Sequence, residues 1–236
     1  MASLGRHPGT PAIMASENHS PGLVVRGLGK KYPQSNRPVF EDISFNLERD
    51  GRLAILGRNG QGKSTLIKIL GGVLKQSAGC IKWDMTSSWP IGFGGGFQGS
   101  LTGLDNIRFL ARIYKKDYHE IIELVDEFAE LGPALKKPVK QYSAGMRARL
   151  AFGLSLAIEF DCYLVDELVA VGDARFQRKC QEELFERRAH RAFLMASHDL
   201  AMIKQNCDRA LIVEAGRAKM FADIEEAVDI YSWLRS

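Results

Sequence analysis

The sequence predicts an α/β fold built on a mostly parallel sheet. Three observations carry that expectation. Short apolar runs alternate with helix-periodic segments, a glycine-rich loop separates one run from a helix, and paired acids end another run.

Taken in order, Ile43, Phe45 and Leu47 alternate with Ser44 and Asn46, the period-two pattern of a half-buried strand. Residues 52–56 (RLAIL) are a short apolar run. They lead at once into the loop 57–64 and the apolar-periodic segment 66–70, the order strand, loop, helix. From about residue 105 to residue 131 the pattern is helical, and Gly132-Pro133 stops it. A further helix starts near Ser143, with Met146, Leu150, Leu154, Ala157 and Ile158 expected on one face. Residues 162–165 read as a buried strand, 173–188 as a polar-faced helix and 193–197 as another strand. Two runs, 209–213 and 217–221, flank Glu214-Ala-Gly216, a hairpin signal. Segment 224–234 closes the chain as an amphipathic stretch. The central helical part reads as an insertion into the α/β core.

Composition narrows the class. The 236 residues are 45% hydrophobic and 25% charged, which excludes a disordered chain, a collagen-like fibre and a small disulfide scaffold. Lysine and arginine number 32 against 28 acids, a net charge of +4 spread along the chain, so nucleic acid is not an expected partner. Cys80, Cys162, Cys180 and Cys207 lie far apart without a C-x-x-C pair, which indicates neither a zinc site nor a disulfide framework. The longest apolar stretch, residues 151–158, is far short of the roughly 20 residues that cross a bilayer. Residues 1–22 carry three prolines and no apolar central region, so a flexible tail is expected and not a secretory signal. Work at a membrane would then need another subunit.

The chemistry concentrates at three places. Gly57, Arg58, Asn59, Gly60, Gln61, Gly62, Lys63 and Ser64 fit G-x-x-x-x-G-K-[ST], with Thr65 next. Such a loop curls backbone N–H groups around phosphate oxygens, and the following helix presents its positive end to them. Lys63 is expected to reach the outer phosphates and the Ser64 hydroxyl to bind Mg²⁺. The second place is Asp166-Glu167, at the end of the run 162–165. Adjacent carboxylates are a costly way to finish a buried strand unless they have work to do. Asp166 is expected to hold Mg²⁺ through water, and Glu167 to orient an attacking water; the bland alternative is a strand running out into a solvated loop. Third is His198, which follows the run 193–197 and taken alone would be structural or merely exposed.

Together these features resemble the nucleotide-binding subunit of an ABC transporter, over roughly residues 23–234. That resemblance implies a P-loop NTPase core with a mixed, mostly parallel sheet, an antiparallel β subdomain and a helical insertion at about 100–160, within one domain spanning 23–236. It orders the sites as phosphate loop, glutamine, signature peptide, acidic strand end and histidine. Here those are 57–64, Gln98, Ser143-Ala144-Gly145-Met146, Asp166-Glu167 and His198. The resemblance implies that Gln98 contacts the metal and the attacking water, that Tyr32 stacks on adenine, that the signature peptide binds nucleotide, and that Asp173 helps join two subunits. The signature departs from Leu-Ser-Gly-Gly-Gln: Ala144 replaces the first glycine and Met146 the glutamine, so one polar contact is lost and slower or partner-dependent hydrolysis is expected.

The peptides Leu168-Val-Ala-Val-Gly-Asp173, Tyr142-Ser-Ala-Gly-Met-Arg-Ala-Arg-Leu150 and Gly92-Phe-Gly-Gly-Gly-Phe97 are similar to those of bacterial polysaccharide exporters, the capsular subgroup in particular. The implied cofactors are ATP and Mg²⁺. Implied partners are a second copy paired head-to-tail, an integral membrane permease subunit and an envelope-spanning polysaccharide export component, at the cytoplasmic face of the bacterial inner membrane. Export of another glycan, O-antigen or teichoic acid, is the alternative, and behind it a soluble ABC-type ATPase not coupled to transport.

Overall fold

The computed structural model describes residues 21–91, 97–167 and 174–235. Among them the strands are β1 (Pro21–Lys30), β2 (Phe40–Glu48), β3 (Arg52–Leu56), β4 (Ala78–Trp83), β5 (Cys162–Asp166), β6 (Ala192–Ala196), β7 (Arg209–Glu214) and β8 (Arg217–Phe221). The α-helices are α1 (Lys63–Leu70), α2 (Gly103–Ile113), α3 (Tyr118–Ala129), α4 (Ala144–Ile158), α5 (Ala174–Gln181), α6 (Leu200–Asn206) and α7 (Ile224–Arg235).

Two sheets form, a five-stranded one in the order β5-β6-β3-β7-β8 and a three-stranded one in the order β2-β1-β4. The first is parallel except for β8, and the second is antiparallel. β3 lies at the centre, where both faces are covered, which is why it reads as a continuous apolar run. Its period-two alternation feeds two different cores. Leu53 and Ile55 pack with β1, β2 and α1, while Ala54 and Leu56 pack with residues of α5, α6 and α7.

Helices α2, α3 and α4 form a third layer around Ile107, Ile121, Val125, Leu150 and Leu154. α4 is not the one-faced helix expected from its apolar spacing. Every residue from Leu150 to Ile158 is buried, because Leu150, Leu154 and Ala157 face the helical layer while Phe152, Leu156 and Ile158 face the sheet core. A helix covered on two sides becomes hydrophobic all round.

Other boundaries differ as well. The helical run 105–131 is two helices. Lys115 turns left-handed at φ 54, and the Asp117 carboxylate then caps α3 by accepting from the His119 and Glu120 N–H groups. The run 173–188 starts as α5 and widens into a π-type turn over Glu182–Glu186. Pro21 and Gly22 belong to β1 and not to the expected tail. β1 and β4 are not expected from the pattern, β4 because it is an edge strand whose alternation is confined to Ile81, Lys82 and Trp83.

Leu194, fully buried on β6 and facing the α1 side of the sheet, tests this packing. Leu194→Ala should lower unfolding stability by about 3 kcal/mol, read from urea denaturation midpoints at an unchanged slope.

Candidate functional site

β3 ends in the middle of the sheet, so the loop 57–62 leaves at the carboxyl edge, where parallel α/β sheets bind ligands. Two of its glycines are required by space. A Cβ on Gly57 would sit 2.4 Å from the Val213 carbonyl oxygen, so the loop root is pressed against β7. Gly62 has φ 97, and a Cβ there would meet the Val39 side chain at 2.5 Å. α1 starts directly after it with no side-chain cap and no acid in the first turn. The N–H groups of that turn are thus left for an outside anion. From the other side the Gln61 Oε1 accepts from the Ala215 N–H at 2.9 Å, tying the loop to the β7–β8 hairpin.

Lys63 is only 8% exposed, and its ammonium donates to the carbonyl oxygens of Gly57 (2.7 Å) and Arg58 (3.2 Å). Burial pulls its pKa below the usual lysine value, while the charges of Glu167 and Asp166 work in the opposite direction. The Ser64 hydroxyl, one residue on, donates to Asp166 Oδ1 at 2.9 Å. Burial pushes the Asp166 carboxyl above the ordinary aspartate value, against that hydrogen bond and the nearby lysines.

Asp166 is the last residue of β5, in register with Ala196 of β6. Glu167 follows, its N–H donating to the Ala196 carbonyl at 2.8 Å and its backbone turned left-handed at φ 47. A glutamate in that region costs about 1 kcal/mol, so the tie to β6 holds it there against local preference. Beyond β6 the chain turns at Ser197, whose hydroxyl accepts from the Asp199 N–H, and Asp199 caps α6. His198 lies inside this turn, and its Nε2 stands 2.8 Å from Glu167 Oε1, with both side chains partly open to water.

The fold therefore brings Lys63, Ser64, Asp166, Glu167 and His198 to one edge from β3–α1, β5 and β6. Gly57, Arg58, Asn59, Gly60, Gln61 and Gly62 form the loop itself, and Thr65 lies in the first turn of α1. Other expected residues stand apart. Tyr32 is exposed, with the Lys30 ammonium 5.0 Å from its ring centre, in the β1–β2 connection whose far end, Val39, lies against Gly62. Gln98 has an exposed side chain and a pinned backbone, its N–H donating to Asn106 Oδ1 at 3.0 Å and its carbonyl accepting from Asn106 Nδ2 at 3.3 Å. Ser143 caps α4, its hydroxyl accepting from the Met146 N–H at 3.1 Å. Ser143 and Ala144 are exposed, Gly145 and Met146 partly so, and among the described residues no hydrogen bond joins this peptide to the phosphate loop. Asp173, the peptide 168–172 and residues 92–96 lie outside the described residues.

Two contributors escaped the sequence. Buried Asn106 positions Gln98 from α2, a role set by burial that the sequence does not display. Tyr231 of α7 donates to the Gly57 carbonyl at 3.1 Å, and nothing in the amphipathic pattern of that helix pointed to it.

The donor set suits a hard divalent cation. Ser64 and Asp166 offer a hydroxyl and a carboxylate in contact, hard oxygen donors of the kind Mg²⁺ prefers. No cluster of three or more His, Cys, Asp or Glu that could hold a metal ion occurs among the described residues.

A family model described as ABC transporter matches residues 40–170. The capsule polysaccharide export ATP-binding protein CtrD of Neisseria meningitidis serogroup B is 50% identical over 214 residues, covering 90% of this chain and 99% of its own. The ATP-binding protein BexA of Haemophilus influenzae is 47% identical, covering 89% and 98%. O-antigen export (Klebsiella pneumoniae, 33%) and teichoic acid export (Staphylococcus haemolyticus, 34%) ATP-binding proteins are more distant, and the matches span 82% and 74% of their lengths. A solved ATP-binding subunit of an ABC transporter shares the fold, with a TM-score of 0.74 at 22% identity over 89% of this chain and 99% of that one. With the phosphate loop, the acidic strand end and the histidine on one sheet edge, and with these relatives along nearly its whole length, the chain belongs to the ABC transporter family as one of its ATP-binding subunits.

Proposed function

We propose that this chain hydrolyses ATP to power export of a capsular polysaccharide through a separate integral membrane permease, working at the cytoplasmic face of the bacterial inner membrane. The observation that carries the hydrolytic part is the contact between Glu167 and His198, beside Lys63 and Asp166. The capsular cargo is supported by CtrD, a capsule polysaccharide export protein whose identity to this chain exceeds that of the O-antigen and teichoic acid proteins. Among the described residues no helix is long and apolar enough to cross a membrane, which fits a division of labour with a permease. An envelope-spanning export component would complete the path for a polymer.

In the proposed mechanism the loop 57–64 and the bare start of α1 cradle the β- and γ-phosphates, and Lys63 turns its ammonium toward them. Tyr32 stacks against adenine. Ser64 and Asp166 would hold Mg²⁺, which when bound neutralises charge on the phosphate oxygens. Glu167 accepts a hydrogen bond from the attacking water, and its left-handed backbone aims the carboxylate off the strand end. His198 fixes that carboxylate and touches the γ-phosphate, while Gln98, fixed by Asn106, orients the water from the opposite side. The water oxygen bonds to the γ-phosphorus, the bond from that phosphorus to the bridging oxygen breaks, and the water's proton passes toward Glu167, leaving ADP and phosphate.

Ser143, Ala144, Gly145 and Met146 make no hydrogen bond to the phosphate loop of their own chain among the described residues. Their exposed helix start suits the nucleotide of a second copy, paired head-to-tail so that each site takes its loop from one chain and its signature peptide from the other.

Three outcomes follow. Glu167→Gln should retain ATP binding and lose more than 100-fold in turnover, measured as phosphate release at saturating ATP. It should also trap the dimer with ATP in size-exclusion chromatography, and Ser143→Arg should abolish that dimer. Asp166→Asn should raise the melting midpoint of the nucleotide-free protein at neutral pH, because the charged carboxylate is disfavoured in the folded state. That advantage should vanish as pH falls through the carboxylate range, where Asp166 itself becomes neutral, and melts between about pH 4 and 8 would display it.

A further inference from the structure

The closing helix reaches the root of the phosphate loop. Tyr231 of α7 is 2% exposed, and its hydroxyl donates to the Gly57 carbonyl oxygen at 3.1 Å. The same oxygen accepts from Lys63 at 2.7 Å. Tyr231 cannot easily move away. Its ring belongs to the core cluster of Ile203, Ile212, Phe221 and Val228, and the Arg235 guanidinium lies 5.6 Å from its centre.

Gly57 thus offers one oxygen to two donors of different character, a hydroxyl fixed by packing and an ammonium on a flexible stem. An ammonium has three protons. In the structure two are committed to the carbonyls of Gly57 and Arg58. Engaging two phosphate oxygens leaves one proton for both carbonyls. Arg58 is exposed, so water can serve its carbonyl; Gly57 is buried and has no such substitute.

We propose that Tyr231 is a positioning residue for nucleotide binding, whose hydroxyl keeps the buried Gly57 carbonyl paired once Lys63 turns to the phosphates. This rests on the reading of 57–64 as a triphosphate loop. Its signature is an asymmetry between states. Without nucleotide, loss of the hydroxyl leaves Gly57 paired to Lys63; with nucleotide, it leaves a buried carbonyl without a donor.

The test uses the full chain with Tyr231→Phe and Lys63→Ala beside the wild type. Melting midpoints are measured without nucleotide, Kd for a non-hydrolysable ATP analogue with Mg²⁺, and the kinetics of ATP turnover. Tyr231→Phe should weaken the analogue about 10-fold and raise KM similarly, the effect of one buried acceptor left unpaired. It should leave kcat within about twofold and the nucleotide-free midpoint within about 2 °C of wild type. An unchanged Kd would overturn the proposal, as would a midpoint several degrees lower or failure to fold, either of which assigns the hydroxyl to the core alone. Lys63→Ala separates the two levels: if it binds the analogue like wild type, the triphosphate-loop reading itself fails. If it loses binding while Tyr231→Phe does not, only the role of Tyr231 falls.

Discussion

A lysine ammonium taken almost out of water is the constraint around which the sheet edge is organised. Burial disfavours the Lys63 ammonium, and the structure opposes that penalty in two ways. Backbone carbonyls of its own loop accept its hydrogen bonds, and the carboxylates of Asp166 and Glu167 supply opposing charge from the end of β5. Each side needs the other. The acids crowd at a strand end that would otherwise repel them, and burial already pushes Asp166 toward its neutral form. The arrangement is an unfinished charge balance, suited to a polyanion arriving with a cation.

Rigidity around this balance comes from ties to the neighbouring strands. Gly57 is pressed on β7, Gln61 is tied to the turn after β7, and Glu167 is hung from β6 in a left-handed conformation. The three elements that carry the charged groups are adjacent or next-adjacent strands of one parallel sheet, so their carboxyl ends are held in step by ladder hydrogen bonds. Preorganisation of this kind is what electrostatic catalysis requires, since the groups need not rearrange as charge develops.

Much of this was legible in the sequence because the signals are local. The strand–loop–helix around Gly57–Ser64 and the acids ending β5 depend on nearest neighbours in the chain, and β3 begins and ends at the residues expected. What was not legible depends on long-range packing. α4 showed an apolar stripe, yet its second covered face came from the sheet core that its own spacing cannot announce. The break between α2 and α3 was hidden because Tyr114-Lys-Lys-Asp117 contains neither glycine nor proline, and a left-handed lysine followed by an aspartate cap does that work instead. β4 alternates over only Ile81, Lys82 and Trp83 and is half-buried at best, too short a pattern to stand out. Asn106 and Tyr231 act through hydrogen bonds to residues 8 and 174 positions away, for which periodicity holds no information.

The two-sided burial of α4 has a mechanical consequence. Its 15 residues make a rod about 22 Å long, wet at the Ser143 tip and dry along the shaft from Leu150 onward. Close-packed interiors resist compression, so a push on the tip cannot be absorbed by bending within the shaft. It must tilt the rod, carrying Phe152 and Leu156 against the sheet core and Leu150 and Leu154 against the helical layer together. Whatever grips the wet end therefore holds a lever whose fulcrum is the seam between two hydrophobic cores.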